Sequence, residues 1–219
     1  MTINKGSITK EQLISFYMNS VLENGKAPQS VYLFAKENNF EETEFYAFFG
    51  SLERLEKEIF SVFFEKTVSL LQANEAYLNY DTKEKMLSFY FTFFELLAAN
   101  RSYVVQTLKG TSNPFKNLVK LTLLRDQFKT YTNSILTDEY RITTKKIQDF
   151  HENALEESAW LQLLFTLKFW LEDESAGFEK TDILIEKAVN TTFDLMRLAP
   201  MNQLLDLGKF IFKEKIYNK

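Results

Sequence analysis

A chain of 219 residues without a cysteine excludes disulfides, thiolate catalysis and cysteine-based zinc sites. Its formal net charge of −4 has the opposite sign from that of most dedicated nucleic-acid binders. With 45% hydrophobic and 26% charged residues, it has the composition of a globular protein able to bury a sizeable core.

The opening "MTINKGSITKEQ" has no apolar signal core, and no run of 18 apolar residues occurs anywhere. A cytoplasmic protein with no stable membrane insertion is expected. Six Gly and three Pro are few, which favours long helices. The apolar periodicity is helical nearly throughout. Ser7 or Thr9 can cap a first helix through Glu23, which Gly25 and Pro28 stop. Ser30 caps a second, Val31 to Glu37. Asn38 or Asn39 turns the chain in place of a glycine, since Asn tolerates left-handed backbone angles. A third helix runs from Glu41 or Glu42 to Phe49, and Ser51 caps a fourth from Leu52 to about Ala73. Further helices are expected near 82–98, 101–109, 114–136, 143–172, 179–198 and 201–216.

The stretch "AKENNFEETEFYAFFGSLERL", Ala35 to Leu55, has the layout of a helix-turn-helix. Gly25, Ser30, Phe34, Ala35, Asn39, Phe40, Phe45, Tyr46, Phe49, Ser51, Glu53 and Leu55 fall at the spacings of the tetracycline-repressor family of transcriptional regulators, which the chain resembles over about residues 20–60. The resemblance implies an all-α fold: a helix-turn-helix module over 1–51, and a larger helical ligand-binding and dimerisation domain over 52–219. It further implies a homodimer, a DNA operator and a small-molecule ligand. Ser30, Thr43, Tyr46 and Lys26 are the candidate DNA contacts. This sequence departs from the family where DNA would be met. The turn glycine is Asn39, the cap serine of helix three is Glu41, and the lysine opening helix four is Leu52. Between Ala35 and Leu52 the only cation is Lys36, against Glu37, Glu41, Glu42 and Glu44. Carboxylates at a helix start complement its dipole but repel phosphates. Weak or altered DNA binding follows, with Lys5, Lys10 and Lys26 left for phosphates.

Aromatics make up 16% of the chain, with 22 Phe, which points to aromatic-walled interior space. "MLSFYFTFFELL" (Met86 to Leu97) is apolar on nearly all sides, as a helix buried all round is. It is either plain core or the wall of an apolar ligand cavity, with Phe89, Tyr90, Phe93, Phe94 and Leu97 as wall candidates. In the late helical pair, Trp160, Leu163, Leu164, Leu167 and Trp170 form one stripe, and Ile185, Val189, Phe193 and Met196 another. Each is either internal core or dimer interface. His151, the one histidine, reads as a solvated helix position. No nucleophile, phosphate-cradling glycine loop or metal set is marked, so neither enzymatic activity nor a cofactor is expected. Two functions remain: a regulator of the resembled family with an apolar ligand, and a lipid- or isoprenoid-binding accessory protein on the same fold that does not bind DNA. The second resembles the accessory protein of ubiquinone biosynthesis.

Overall fold

The computed structural model describes residues 8–109, 114–136 and 145–198, with the side chains of 114–116, 145–153 and 197–198 excepted. No strand occurs among the described residues. The helices are α1 (Lys10–Asn24), α2 (Val31–Glu37), α3 (Glu42–Tyr46), α4 (Leu52–Gln72), α5 (Glu75–Leu78), α6 (Thr82–Ala99), α7 (Arg101–Lys109), α8 (Pro114–Lys120), α9 (Thr122–Ile135), α10 (Lys145–Glu172) and α11 (Glu179–Leu198). The expected helix over 201–216, Lys5 and the side chain of His151 lie outside the described residues.

Local chemistry sets the boundaries. The Thr9, Ser30 and Ser51 hydroxyls accept from the backbone N–H groups of Gln12, Leu33 and Arg54, each 3.2 Å away, which satisfies one free donor at each helix start. Gly25 closes α1 at φ 68°, and Asn39 takes φ 57° at the α2–α3 turn. Three boundaries differ from expectation. Helix α3 stops at Tyr46. The four-residue α5 was not foreseen. The span 114–136 breaks at Leu121, where the Thr122 hydroxyl donates to the Val119 carbonyl (3.0 Å) and competes with the helical ladder.

The chain divides into two compact units, Met1–Leu78 with Phe89–Ser134, and Asn79–Ser88 with Ile135–Lys219. In the first, α1 packs on α7, where the Gln106 amide donates to the Gly25 carbonyl. Its core is aromatic: Tyr17, Phe34, Phe45, Phe60, Phe89, Tyr90, Phe93 and Phe128 are all buried.

In the second unit, α10 and α11 form a helical hairpin closed by Asp173. One carboxylate oxygen accepts from the Ser175 N–H (2.9 Å) and hydroxyl (2.6 Å). The other accepts from the Thr181 N–H (2.9 Å) and hydroxyl (2.6 Å). Burial alone would raise this carboxyl, but the four hydrogen bonds hold it well below the usual carboxylate range. Behind the turn the Phe178 ring lies 5.7 Å from that of Trp170.

Asp173→Ala leaves the Thr181 N–H without its acceptor in a buried turn. It should cost about 2–3 kcal/mol, a fall in Tm of roughly 5–10 °C for a chain of this length. A lowered folded-state pKa gives stability that is complete above the unfolded value near 4 and is lost as pH falls below it. The gap in Tm between wild type and Asp173→Ala, followed by circular dichroism, should therefore hold from about pH 6 to 8 and narrow below about pH 4.

Candidate functional site

The packing of α1, α2 and α3 is built around Phe34. Its ring meets those of Tyr17 (6.1 Å), Phe40 (5.2 Å) and Phe45 (6.2 Å), and Phe45 meets Phe49 (5.7 Å). The Ser30 hydroxyl caps α2 as an acceptor, which leaves its O–H to donate. Glu44 reaches back to accept from the Glu41 N–H (2.9 Å) and from the Ile8 N–H (3.4 Å). That carboxylate thus fastens the start of α3 and the chain before α1. Thr43, Tyr46 and Lys26 are exposed, Tyr46 with its ring edge on Phe45 at 5.5 Å. Lys10 pairs with Glu58 at 2.6 Å and Arg54 with the same carboxylate at 3.3 Å.

Sequence reasoning missed two residues of this face. Tyr32 is 57% exposed and Phe48 45%. The signal was present in α2: Tyr32 sits two positions, about 200° of helix, from the buried Phe34. Phe48 carries no such signal, because α3 has already ended.

The five residues proposed as cavity wall are all buried. Phe89 stacks on Phe93 (5.4 Å) and tilts against Phe128 (5.2 Å) and Tyr131 (5.0 Å). Tyr90 stacks on Phe94 (6.3 Å). The Tyr90 hydroxyl is buried without a protein partner, and burial pushes its ionisation well above the ordinary phenol value. An open groove of about 430 Å³ lies between α4 and α9, lined by Phe64, Val68 and Gln72 on one side and Asp126, Gln127, Thr130, Tyr131 and Ser134 on the other. The wall candidates do not line it. Phe89 lies behind it, 5.6 Å from Phe64 and 5.0 Å from Tyr131. The Tyr131 hydroxyl is held 2.7 Å from that of Tyr77, and the Gln127 amide donates to Glu65 (2.9 Å). An apolar floor, with the exposed Asp126 carboxylate among otherwise neutral polar rim groups, suits an uncharged apolar ligand and disfavours an anionic one. Among the described residues, no cluster of acidic or histidine side chains is placed to hold a metal ion.

A family model described as Tetracyclin repressor-like, C-terminal domain, matches residues 85–211, more than half of the chain. The chain belongs to the tetracyclin repressor-like family. No curated protein matches it. The family match begins at residue 85 and does not extend over α1 to α5. Tetracyclin repressor-like proteins are regulators, in general dimeric and non-enzymatic, with DNA and ligand partners. Among the described residues, no helix is long and apolar enough to cross a membrane.

In this family member the two late stripes face inward. Trp160, Leu163, Leu167, Trp170, Ile185, Val189 and Phe193 are buried within the single chain, and Met196 is half-buried. The Thr192 hydroxyl donates to the Gln162 amide oxygen at 2.8 Å between the two helices. The opposite faces carry exposed apolar side chains: Leu161 (63%) and Phe165 (59%) on α10, Ile183 and Leu195 on α11. On α10 the exposed positions run Ala154, Ser158, Leu161, Phe165, Lys168 and Glu172. Steps of four and three residues make one continuous face.

Proposed function

We propose that this chain is a homodimeric, tetracyclin repressor-like regulator that takes an uncharged apolar ligand in the α4–α9 groove. Residues 1–51 form its DNA-binding-like module and 52–219 its ligand-binding and dimerisation domain. The reading rests chiefly on Phe64 and Tyr131, which floor the groove and touch Phe89 of the aromatic core. An occupant of the groove would press on side chains packed against α6, the helix that carries Phe93, Phe94 and Leu97. Dimerisation runs through the outward faces of α10 and α11, at Leu161, Phe165, Ile183 and Leu195. DNA contact through Lys26, Ser30, Thr43 and Tyr46 is weak and confined to phosphates.

Val68 is a half-buried groove wall whose replacement by glutamate places a charge against the ligand. N-Phenyl-1-naphthylamine, a neutral fluorescent probe, should bind wild type and bind Val68→Glu at least about tenfold more weakly, with Tm shifted by no more than a few degrees. Equal binding by both proteins would remove the groove from the proposal. Native mass spectrometry of protein purified from cells tests the ligand class: a co-purified apolar molecule is expected, whereas a charged one would overturn the reading.

A second reading is a lipid- or isoprenoid-binding accessory protein that has left DNA altogether. The carboxylates at Glu41, Glu42 and Glu44 together with exposed Tyr32 and Phe48 favour it, because a face of that character repels phosphate and attracts apolar partners.

A further inference from the structure

The exposed surface of the α2–α3 module combines two properties that a phosphate-binding surface lacks. It is apolar: Tyr32 and Leu33 on α2, Tyr46 at the end of α3 and Phe48 just beyond are all exposed. It is also acidic. From Val31 to Arg54 the sequence has Glu37, Glu41, Glu42, Glu44 and Glu53 against Lys36 and Arg54, and Arg54 is paired with Glu58. The elements are held together from inside. Tyr46 leans on Phe45, and Phe45 on Phe34 of the helix that bears Tyr32 and Leu33. Exposed aromatic side chains with two rotatable bonds are favourable interface anchors, since little entropy is lost when they are fixed.

We infer that this face docks a basic, amphipathic helix of another protein. Charge decides among the occupants an apolar patch could take. Duplex DNA and an anionic bilayer both present phosphates to the carboxylates. A second copy of the chain would set Glu41 and Glu42 against their own counterparts, and like charges placed together at an interface cost several kcal/mol. A helix with one apolar stripe and flanking Lys or Arg meets both properties: its stripe covers the aromatic rings, and its cations meet the carboxylates at the rim. The module then serves as a protein-recognition surface whether or not the α4–α9 groove holds a ligand.

The test uses the full chain and a labelled, designed Lys/Leu amphipathic helix, read by fluorescence anisotropy. Controls are a Glu/Leu counterpart, a short DNA duplex, and vesicles of phosphatidylglycerol with phosphatidylcholine. The Lys/Leu helix should bind in preference to all three. The exposed pair Tyr46→Ala with Phe48→Ser should weaken it at least about tenfold. Glu41→Gln with Glu42→Gln should weaken it less and flatten its dependence on salt. In the cell of origin, a photoreactive phenylalanine at position 48 should cross-link to a protein segment rich in Lys and Arg with helically spaced apolar residues. Equal affinity for the Glu/Leu helix, no effect of the Tyr46 and Phe48 changes, or cross-links to DNA, lipid or a second copy would each overturn the inference.

Discussion

Duplex DNA should be held by the full chain only at low salt. Phosphate contacts release counterions, and the observed affinity falls with salt by about 0.9 powers per neutralised phosphate. The exposed Lys26 and Lys36, with one more lysine from the chain before α1, allow about three phosphates, a loss of roughly fortyfold between about 50 and 200 mM salt. Lys10 adds little while Glu58 holds it at 2.6 Å. Replacing Glu41, Glu42 and Glu44 together with glutamine removes three negative charges from the helix start. It keeps an amide oxygen that can accept from the Glu41 N–H as Glu44 now does, so the helix start survives. Non-specific binding at low salt should then strengthen. Selection from random duplexes is the decisive measurement, and it should return no consensus. If it returned one palindrome bound at nanomolar affinity in physiological salt, with Glu44→Ala changing the preferred bases, the glutamates would be base readers and the proposal would fall.

The features legible in the sequence were those fixed by neighbours a few residues away. Thr9, Ser30 and Ser51 cap helices through hydrogen bonds that reach three residues ahead. Asn39 turns the chain because an amide side chain tolerates positive φ. The apolar runs in α6, α10 and α11 told which sides are dry, since helical spacing places Phe89, Phe93 and Leu97, or Trp160, Leu163 and Leu167, on shared faces. They could not tell what covers those sides. The same periodicity serves a core and an interface equally, and only the folded chain shows that Trp160 and Val189 are already covered within it. The groove was invisible for a related reason. Phe64 and Tyr131 are 67 positions apart in the numbering, and each alone reads as ordinary core. Tyr32 and Phe48 belong to no motif: Tyr32 is marked only by its helical offset from Phe34, and Phe48 lies beyond the end of α3, where helical spacing says nothing of exposure.

The proposed dimer gives the last of the large effects. Light scattering at micromolar concentration should give twice the chain mass for wild type, and the single-chain mass for Leu161→Glu with Phe165→Glu. An obligate homodimer buries about 2,000 Å² or more, and with Leu161, Phe165, Ile183 and Leu195 exposed in one chain, the outward faces of α10 and α11 supply apolar area for it. Two glutamates in the middle of such a surface, repeated by symmetry in the second copy, are desolvated without partners. At several kcal/mol, that weakens association by a thousandfold or more. The same changes should scarcely affect the fold, because both side chains are more than half exposed in the single chain. Trp170→Ala gives the contrast. It empties a buried position beneath Phe178 and should cost about 3–5 kcal/mol of stability, so that any loss of dimer follows from loss of fold. A wild-type chain that is monomeric at micromolar concentration would overturn the dimer, and a Leu161→Glu, Phe165→Glu variant that stays dimeric would move the interface off these faces. If folding were lost in the double glutamate variant but kept in Trp170→Ala, the inward and outward assignments of α10 would have to be exchanged.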